Sequence, residues 1–241
     1  MELDKDAGSD RPLAPWQPRS PSGRKPARTP LSRDRIVDAA LEVLVAEGYE
    51  AVSMRRVAQA LGTGAASLYA HVANKRELDQ LMLDRAAEGL EIPDPDPEHW
   101  REQIAQVMRD MLRMMRAYPG VARAAIGQIP LGERSLAATE RMLAILRAAG
   151  LPDQVVAYAA DLIPLYVCAV AFEEAVQGAS NWSPADIEHF VSELRGWFGA
   201  LPADRFPHIV ALAGPLTTGA GDDRFEFGVQ VIVAGLASFL P

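Results

Sequence analysis

The segment from residue 53 to residue 78 constrains the fold most, because it predicts two short amphipathic helices around a glycine turn. Ser53 can cap the first helix, whose apolar residues recur at the spacing of one helical face: Met54, Val57, Ala58 and Leu61. This helix ends at Gly62-Thr63-Gly64, and the second is predicted from Ala65 to about His71. The pattern is typical of a helix-turn-helix, although by itself it fits a plain helical hairpin equally well.

Further helices are predicted on both sides of this pair. Ser32 can cap a helix that runs to about Glu47, where Gly48 supplies a left-handed end. Asn74 can cap another helix, and Glu77 stands at the position that completes a capping box. These helices complete a small N-terminal module.

Composition divides the chain into three predicted parts. Residues 1–31 are rich in Pro and Arg and poor in apolar side chains, so we expect a disordered basic arm. Residues 32–92 form the helix-turn-helix domain, and residues 93–241 form a larger helical domain after Pro93, Pro95 and Pro97. Within it, helices are predicted at 98–118, 121–127, 133–149, 152–178, 184–198 and 222–240, with turns from 201 to 221. The predicted fold class is all-α.

One stretch of the last helix is ambiguous. The run Val229-Gln-Val-Ile-Val233 fits a strand by propensity. A helix is predicted instead, because the flanking apolar residues recur at three- and four-residue spacing: Phe225, Ile232, Leu236 and Phe239. Gly228 and Gly235 on the same helix predict a close approach to a neighbouring element.

The charges are segregated along the chain. From Arg11 to Arg76 there are 11 Lys and Arg against 5 Asp and Glu, whereas the remainder has 13 against 27 and the whole chain carries a net charge of −8. A basic N-terminal quarter on an acidic body is typical of a DNA-binding module attached to another domain.

No membrane partner is expected. The longest apolar run, Val155 to Phe172, is interrupted by Asp161 and Pro164, and the N-terminus has no signal-peptide core. A cytoplasmic protein is therefore predicted. The single cysteine, Cys168, cannot form an internal disulfide and is interpreted as a small core residue.

Lys75 is placed unfavourably for a helix. It falls in the first turn, where the helix dipole disfavours a cation by ~0.3–1 kcal/mol. A negatively charged partner would explain the position, and a phosphate there would meet both the ammonium group and the free N–H groups of the helix end.

At this point the chain resembles a known family. The residues Ser53-x-Arg55-x-Val57-Ala58-x-x-Leu61-Gly62 and Leu68-Tyr69-x-His71-Val72-x-Asn74-Lys75-x-x-Leu78 resemble the DNA-binding domain of the TetR family of bacterial regulators, over about residues 32–90. The resemblance implies that the helix beginning at Ala65 is the recognition helix. The implied DNA-binding residues are Arg55 and Ser67 near base edges, Ala65 and Ala66 on the reading face, and Tyr69, His71 and Lys75 on phosphates.

The chain departs from the family pattern on the reading face. Thr63-Gly64 removes a capping hydroxyl that many members have, and Ala65, Ala66 and Ala70 leave few hydrogen-bond donors. Methyl contacts to thymine, Arg55 on guanine, Ser67 and DNA shape are then expected to carry specificity. The basic arm fits either minor-groove contacts or a solubilising tail.

The helical body is similar to the tetracycline-repressor branch of the family. The signals are Asp222 to Gly228, Trp100, Ile126-Gly127-x-x-Pro130 and Gly150. The resemblance implies a ligand pocket lined by Val107, Met111, Ala125, Gln128, Met142 and Glu173. Ala125 and Gln128 stand where that branch has a metal-binding His and a Thr, so we expect an apolar ligand with one or two polar groups, without a metal or cofactor. Glu173 also fits a role facing a charge across a dimer interface.

Together these features predict a ligand-responsive DNA-binding transcriptional regulator with a helical ligand-binding and dimerisation domain. The implied partners are a double-stranded DNA operator, a small-molecule effector and a second copy of the chain, and the implied action is that of a repressor released from a palindromic operator. One alternative is a DNA-binding structural or division-linked protein of the same fold without an inducer. A remoter one is a helical enzyme, but no enzyme is predicted, because the four histidines are scattered without metal spacing: His71, His99, His189 and His208.

Overall fold

The computed structural model describes residues 30–129, 131–178, 182–219 and 221–240. The predicted arm, residues 1–31, lies almost wholly outside them. Within the described residues there are twelve α-helices and no β-strand, which confirms the all-α prediction.

The N-terminal helices are α1 (Arg33–Glu47), α2 (Met54–Ala60), α3 (Ala65–Tyr69) and α4 (Lys75–Ala86). The three predicted N-caps are confirmed: the side chains of Ser32, Ser53 and Asn74 each accept a hydrogen bond from a backbone N–H in the first turn. The capping box of α4 differs in one contact, because Glu77 accepts from the N–H of Ala73 at 2.6 Å. The side chains of Asn74 and Glu77 thus still each bond to a backbone N–H at the start of α4.

The turn between α2 and α3 is fixed by its backbone. Gly62 adopts φ +63°, its N–H donates to the carbonyl of Gln59, and the N–H of Thr63 donates to the carbonyl of Ala58. These two bonds form a Schellman motif, which glycine favours because only it enters this region of φ without strain. Gly48 after α1 also has positive φ, but its ψ of 168° is extended rather than the predicted left-handed helical value.

The remaining helices are α5 (Trp100–Ala117), α6 (Val121–Ala125), α7 (Glu133–Ala148), α8 (Asp153–Gly178), α9 (Pro184–Gly199), α10 (Pro207–Ala211), α11 (Ala213–Leu216) and α12 (Gly221–Ala237). The short helices α10 and α11 lie in the stretch that was predicted as turns. Pro207 occupies the first turn of α10, where its fixed φ suits a helix start. A proline in this stretch of the sequence is therefore compatible with a helix start as well as with a turn.

The helical prediction for residues 229–233 is confirmed, since they lie inside α12. Its buried residues are Phe225, Val229, Val233 and Leu236, which follow one face at helical spacing. Gly228 allows a close approach, because a Cβ there would overlap the Tyr166 side chain of α8. At Gly235, apart from its own stretch of helix, no atom of the described residues lies within 4 Å of a Cβ position, so the close approach expected there is not made within the part of the chain that the structure describes.

Helix α8 is the central helix of the body. It continues through Asp161 and Pro164 for 26 residues and packs against α5, α6, α7 and α12. By length and composition alone it is apolar enough to cross a bilayer, so the expectation that Asp161 and Pro164 interrupt the apolar run was wrong. Its packing is that of the core helix of a helical bundle.

Helix α4 contacts both parts of the chain. It packs against α1 on one side and against α6 and α7 on the other. The division at residues 92 and 93 therefore stays a prediction. Helix α4 is one element through which the two parts meet, and the contact of residues 49–51 with α6 is another.

Candidate functional site

Helix α3 buries one side chain and exposes most of the others. Leu68 is fully buried, whereas Ala66, Ser67, Tyr69 and Ala70 are exposed and Ala65 is half-buried. The single buried leucine anchors α3 against α2 and leaves its remaining surface facing outward. No side chain caps α3 at Gly64, in agreement with the missing hydroxyl noted in the sequence.

The other predicted DNA-binding residues lie next to α3. Arg55 is exposed in the first turn of α2, and His71 is half-buried just after α3. The carbonyl oxygen of His71 accepts a hydrogen bond from Arg33 Nε at 3.2 Å, which ties this turn to the start of α1. Six of the seven predicted residues thus lie on the consecutive helices α2, α3 and α4, and His71 lies in the turn between α3 and α4. Their contact with DNA stays a prediction.

Lys75 has partners within the chain. Its ammonium group pairs with the carboxylate of Asp79, one turn along α4, and lies 4.2 Å from the centre of the Tyr49 ring. Asp79 is buried and also accepts a hydrogen bond from the Tyr49 hydroxyl at 3.0 Å. Burial, followed by the charge of Asp79, raises the pKa of Tyr49 to about 12. The unfavourable position of Lys75 is therefore offset by Asp79, without a phosphate, and the i,i+4 spacing in the sequence was the signal for this pair.

Five of the six predicted pocket residues line one cavity in the body. These are Val107, Met111, Ala125, Gln128 and Met142. The cavity has a volume of about 140 Å³ and a mainly apolar wall. Its wall also includes Ser135, Thr139, Pro164 and Cys168, which were not predicted. The spacing of Ser135, Thr139 and Met142 on α7 was the sequence signal for the first two, since the three share a helix face.

Two polar side chains of the cavity wall, those of Gln128 and Thr139, already have hydrogen-bond partners within the chain. Gln128 Nε2 donates to the carbonyl of Ala124 at 2.9 Å, and its Oε1 accepts from Gln80 Nε2 at 2.8 Å. The hydroxyl of Thr139 donates to the carbonyl of Ser135. Cys168 is buried, as predicted for a core residue, and burial raises the pKa of its thiol to about 11. An occupant that bonds to Gln128 or Thr139 must therefore compete with hydrogen bonds that exist without it.

Glu173 does not belong to this cavity. It is exposed, lies 3.5 Å from Arg224 of α12 and lines an outer cleft between α8 and α12. The structure places it outside this cavity for a geometric reason: Pro164 and Cys168 mark the cavity face of α8, and five residues after Cys168 the helix has turned by roughly 140° from that face. A role of Glu173 in ligand binding stays a prediction.

The described residues hold no group of three or more His, Cys, Asp or Glu side chains arranged as metal ligands. Ala125 contributes a methyl group to the cavity at the position where a metal-binding His was expected in related proteins. The cavity wall therefore offers an occupant apolar surface, two hydroxyls, a thiol and one amide.

Comparison with known proteins accounts for both parts of the chain. The family model described as bacterial regulatory proteins of the tetR family matches residues 36–80, and the model described as tetracyclin repressor-like, C-terminal domain matches residues 92–240. A similar curated protein is the HTH-type transcriptional repressor DrrR1 of Streptomyces coeruleorubidus, which is 34% identical over 221 residues, covering 89% of this chain and 82% of that protein.

Solved structures of ActR from Streptomyces coelicolor are similar over almost their whole length. Apo ActR is 43% identical, with a TM-score of 0.78 over 87% of this chain and 98% of that chain. ActR in complex with actinorhodin is 44% identical, with a TM-score of 0.79 over 87% and 96% of the two chains. The chain belongs to the TetR family of bacterial transcriptional regulators, which confirms the predicted DNA-binding class over the helical-enzyme alternative.

Proposed function

We propose that this chain is a cytoplasmic, homodimeric repressor that binds a palindromic operator and is released by a small, mainly apolar molecule. The observation that carries the proposal is the cavity lined by residues of α4 to α8, whose wall is mainly apolar with a few polar groups. The similar protein ActR has been solved with actinorhodin, which supports an organic effector.

The DNA-binding part of the proposal rests on the exposed side of α3. Ala65 and Ala66 present methyl groups suited to thymine, and Ser67 supplies the one polar group among these three. Arg55 supplies a guanidinium group suited to guanine, while Tyr69, His71 and Lys75 bind the phosphate backbone. A dimer places two copies of α3 in major grooves ~34 Å apart, which requires an operator with two-fold symmetry.

The chemistry of the cavity defines the effector class. Methionine, valine and isoleucine walls favour an organic ring system, and Met111, Met114 and Met115 can adapt to its shape. The amide of Gln128 and the hydroxyls of Ser135 and Thr139 favour one or two hydroxyl or carbonyl groups on that ring system. Ala125 offers no ligand for a metal, so binding requires no chelated ion.

The second copy is proposed to cover the outer face of α8 and α12. Large apolar side chains are exposed at Tyr158, Leu162 and Leu165 of α8 and at Phe227 and Val231 of α12. On each helix they follow the spacing of one face, and the two stripes border the same cleft. A contiguous apolar surface formed by two long helices is typical of an isologous dimer interface.

The test begins with selection of bound DNA from a random pool, followed by operator-binding measurements with a panel of apolar compounds that includes actinorhodin. We expect a two-fold symmetric site and at least one compound that raises the melting temperature and releases the operator. Ala138→Leu, which fills the cavity from α7, should abolish both responses and keep operator binding. Ala137→Leu is the matched control, because Ala137 is exposed on the same helix and outside this cavity.

A structural or division-linked DNA-binding protein of the same fold is the competing assignment. It would bind DNA without two-fold symmetry or regulated sites, and no compound of the panel would shift its melting temperature. If the selected sites are two-fold symmetric but no compound shifts the melting temperature, the proposed regulator is supported and the proposed effector is contradicted.

A further inference from the structure

We propose that Gln80 and Asp84 of α4 form a latch that couples the cavity to the DNA-binding helices, an inference that rests on the function proposed above. The latch consists of the hydrogen bonds that these two side chains, one helical turn apart, make with residues 128, 129, 131 and 135. A molecule that enters the cavity and parts these four residues from α4 opens the latch and moves α4, which carries Lys75 at its first turn.

The first half of the latch is the side-chain amide of Gln80. Its Nε2 donates to Gln128 Oε1 at 2.8 Å and to the carbonyl of Ile129 at 2.9 Å, and its Oε1 accepts from the N–H of Leu131 at 3.0 Å. One amide thus uses its donors and its acceptor on three points of the loop between α6 and α7. This arrangement fixes the loop against α4.

The second half is the carboxylate of Asp84, which is buried at the start of α7. Helix α7 follows Gly132, which has no side chain to cap it, and Asp84 Oδ1 accepts the N–H of Ser135 at 3.0 Å. A residue of α4 therefore satisfies a free donor of α7 and places a negative charge at its positive end. A Cβ at Gly132 would overlap the Asp84 carboxylate, so the close approach requires glycine.

Both halves of the latch end on residues of the cavity wall. Gln128 and Ser135 line the cavity, and so does Leu83 of α4 itself. The volume of about 140 Å³ is small beside the ~300–1,000 Å³ of common ligand pockets. The proposal requires that an occupant larger than one ring displaces the wall rather than extending out of the cavity. Gln128 and Ser135 are the points at which that displacement breaks hydrogen bonds to α4.

The opposite side of α4 is tied to the DNA-binding helices. Arg85 pairs with Asp34 and Asp38 of α1 at 2.6 and 2.7 Å, and Lys75 is held beside Tyr49. Helix α4 is thus connected to α1 by charge pairs and to the cavity by the latch. A shift of α4 changes the orientation of α1 to α3, and hence their fit to an operator.

The latch is tested without an effector, through operator affinity of the full chain. Gln80→Leu removes all three contacts of the first half and keeps the volume of the side chain. We expect at least about tenfold weaker operator binding, since couplings between sites amount to ~5–150-fold. Gln106→Leu is the matched control, because Gln106 is exposed on α5 and bonds only to Asp110 of its own helix. It should change the affinity by less than about twofold, as expected for an exposed position.

A double variant tests whether the loss passes through the shared hydrogen bond. Gln80→Leu with Gln128→Leu should weaken operator binding no more than Gln80→Leu alone, because both changes remove one interaction. Affinities are measured well below each melting temperature, so a loss of stability alone leaves them unchanged. Unchanged or tighter binding by Gln80→Leu, or losses that multiply in the double variant, overturns the latch but not the proposed function. Wild-type protein that binds no DNA of the pool overturns both.

Discussion

Lys75 occupies a position that the dipole of α4 disfavours, and two neighbouring side chains offset this cost. The buried carboxylate of Asp79 pairs with it, and the Tyr49 ring lies beneath it. From the sequence, a phosphate was predicted as the compensating charge. The structure shows that Lys75 has a partner within the chain, so a phosphate contact must be tested separately from the effect on folding.

The first prediction separates these two roles of Lys75. Lys75→Met alone should lower the free energy of unfolding by about 1–3 kcal/mol, because it leaves the buried carboxylate of Asp79 with only the Tyr49 hydroxyl. Lys75→Met combined with Asp79→Asn should recover much of this loss. Urea unfolding followed by circular dichroism measures both.

DNA binding is then compared between Asp79→Asn and the double variant, which differ only at Lys75. If Lys75 contacts a phosphate, the double variant binds all sequences more weakly and the slope of log affinity against log salt falls by about 1. An equal slope in the two proteins would contradict the phosphate contact.

The second prediction concerns the thiol of Cys168. Burial on the cavity wall raises its pKa to about 11, against about 8.5 for a free cysteine. Because only the thiolate reacts, labelling of the folded protein by a disulfide reagent should be slow at pH 8 and should rise up to about pH 11. Labelling in urea should be complete at pH 8.

The control for Cys168 is an exposed thiol in the same chain. Ser192→Cys in a Cys168→Ala background places it on the exposed surface of α9. This variant should react rapidly at pH 8 in the folded state. Equal rates for the two thiols would show that Cys168 is not buried as described.

At the scale of elements, capping and periodicity determined most helix boundaries in advance. The side chains of Ser32, Ser53 and Asn74 bond to the N–H groups that their positions predicted, because a cap is a local interaction within three residues. The short helices α10 and α11 were not predicted, because the proline and glycine residues in that stretch also fit turns. They are too short for periodicity to distinguish the two.

The cavity was predictable only in part. Five wall residues followed from the resemblance to the tetracycline-repressor branch, whereas Glu173 required the rotation of α8 to be known. The latch could not be predicted, because Gln80 and Asp84 contact residues about fifty positions away. Contacts at that separation depend on how helices pack, which a single sequence does not specify.

The third prediction tests the packing of α8 against α12. Tyr166 stacks on Phe225 with ring centres 5.8 Å apart, and its hydroxyl donates to the carbonyl of Phe225 at 3.1 Å. A Cβ at Gly228 would overlap this tyrosine. Gly228→Ala should therefore lower the free energy of unfolding by about 1–3 kcal/mol, as overpacking does.

Gly235 is the matched control on α12, because a Cβ there meets no atom of the described residues within 4 Å outside its own stretch of helix. Gly235→Ala should be neutral or stabilise the monomer by up to about 1 kcal/mol, through the gain in helix propensity. Urea unfolding of both variants at low protein concentration measures the difference. Equal losses would contradict the close approach at Gly228.

At the scale of the whole molecule, the exposed apolar face of α8 and α12 is the feature that the single chain leaves unexplained. Its central residue on α8, Leu162, is 48% exposed, and Val231 on α12 is 53% exposed. A long apolar helix of this kind satisfies the composition of a membrane span, yet in this fold one side of it forms the core of the body. A second copy of the chain that covers the exposed side of α8 would explain why this helix is apolar on both sides.

The fourth prediction tests this interface. Leu162→Glu should convert the dimer to a monomer, because two-fold symmetry buries the new carboxylate twice in an apolar contact. Light scattering after size exclusion measures the mass. Leu136→Glu is the matched control, since Leu136 is 50% exposed but lies on α7, away from this face. The monomer should also lose most of its operator affinity, because one copy of α3 contacts only one half-site. A Leu162→Glu protein that remains dimeric would place the interface on another surface of the molecule.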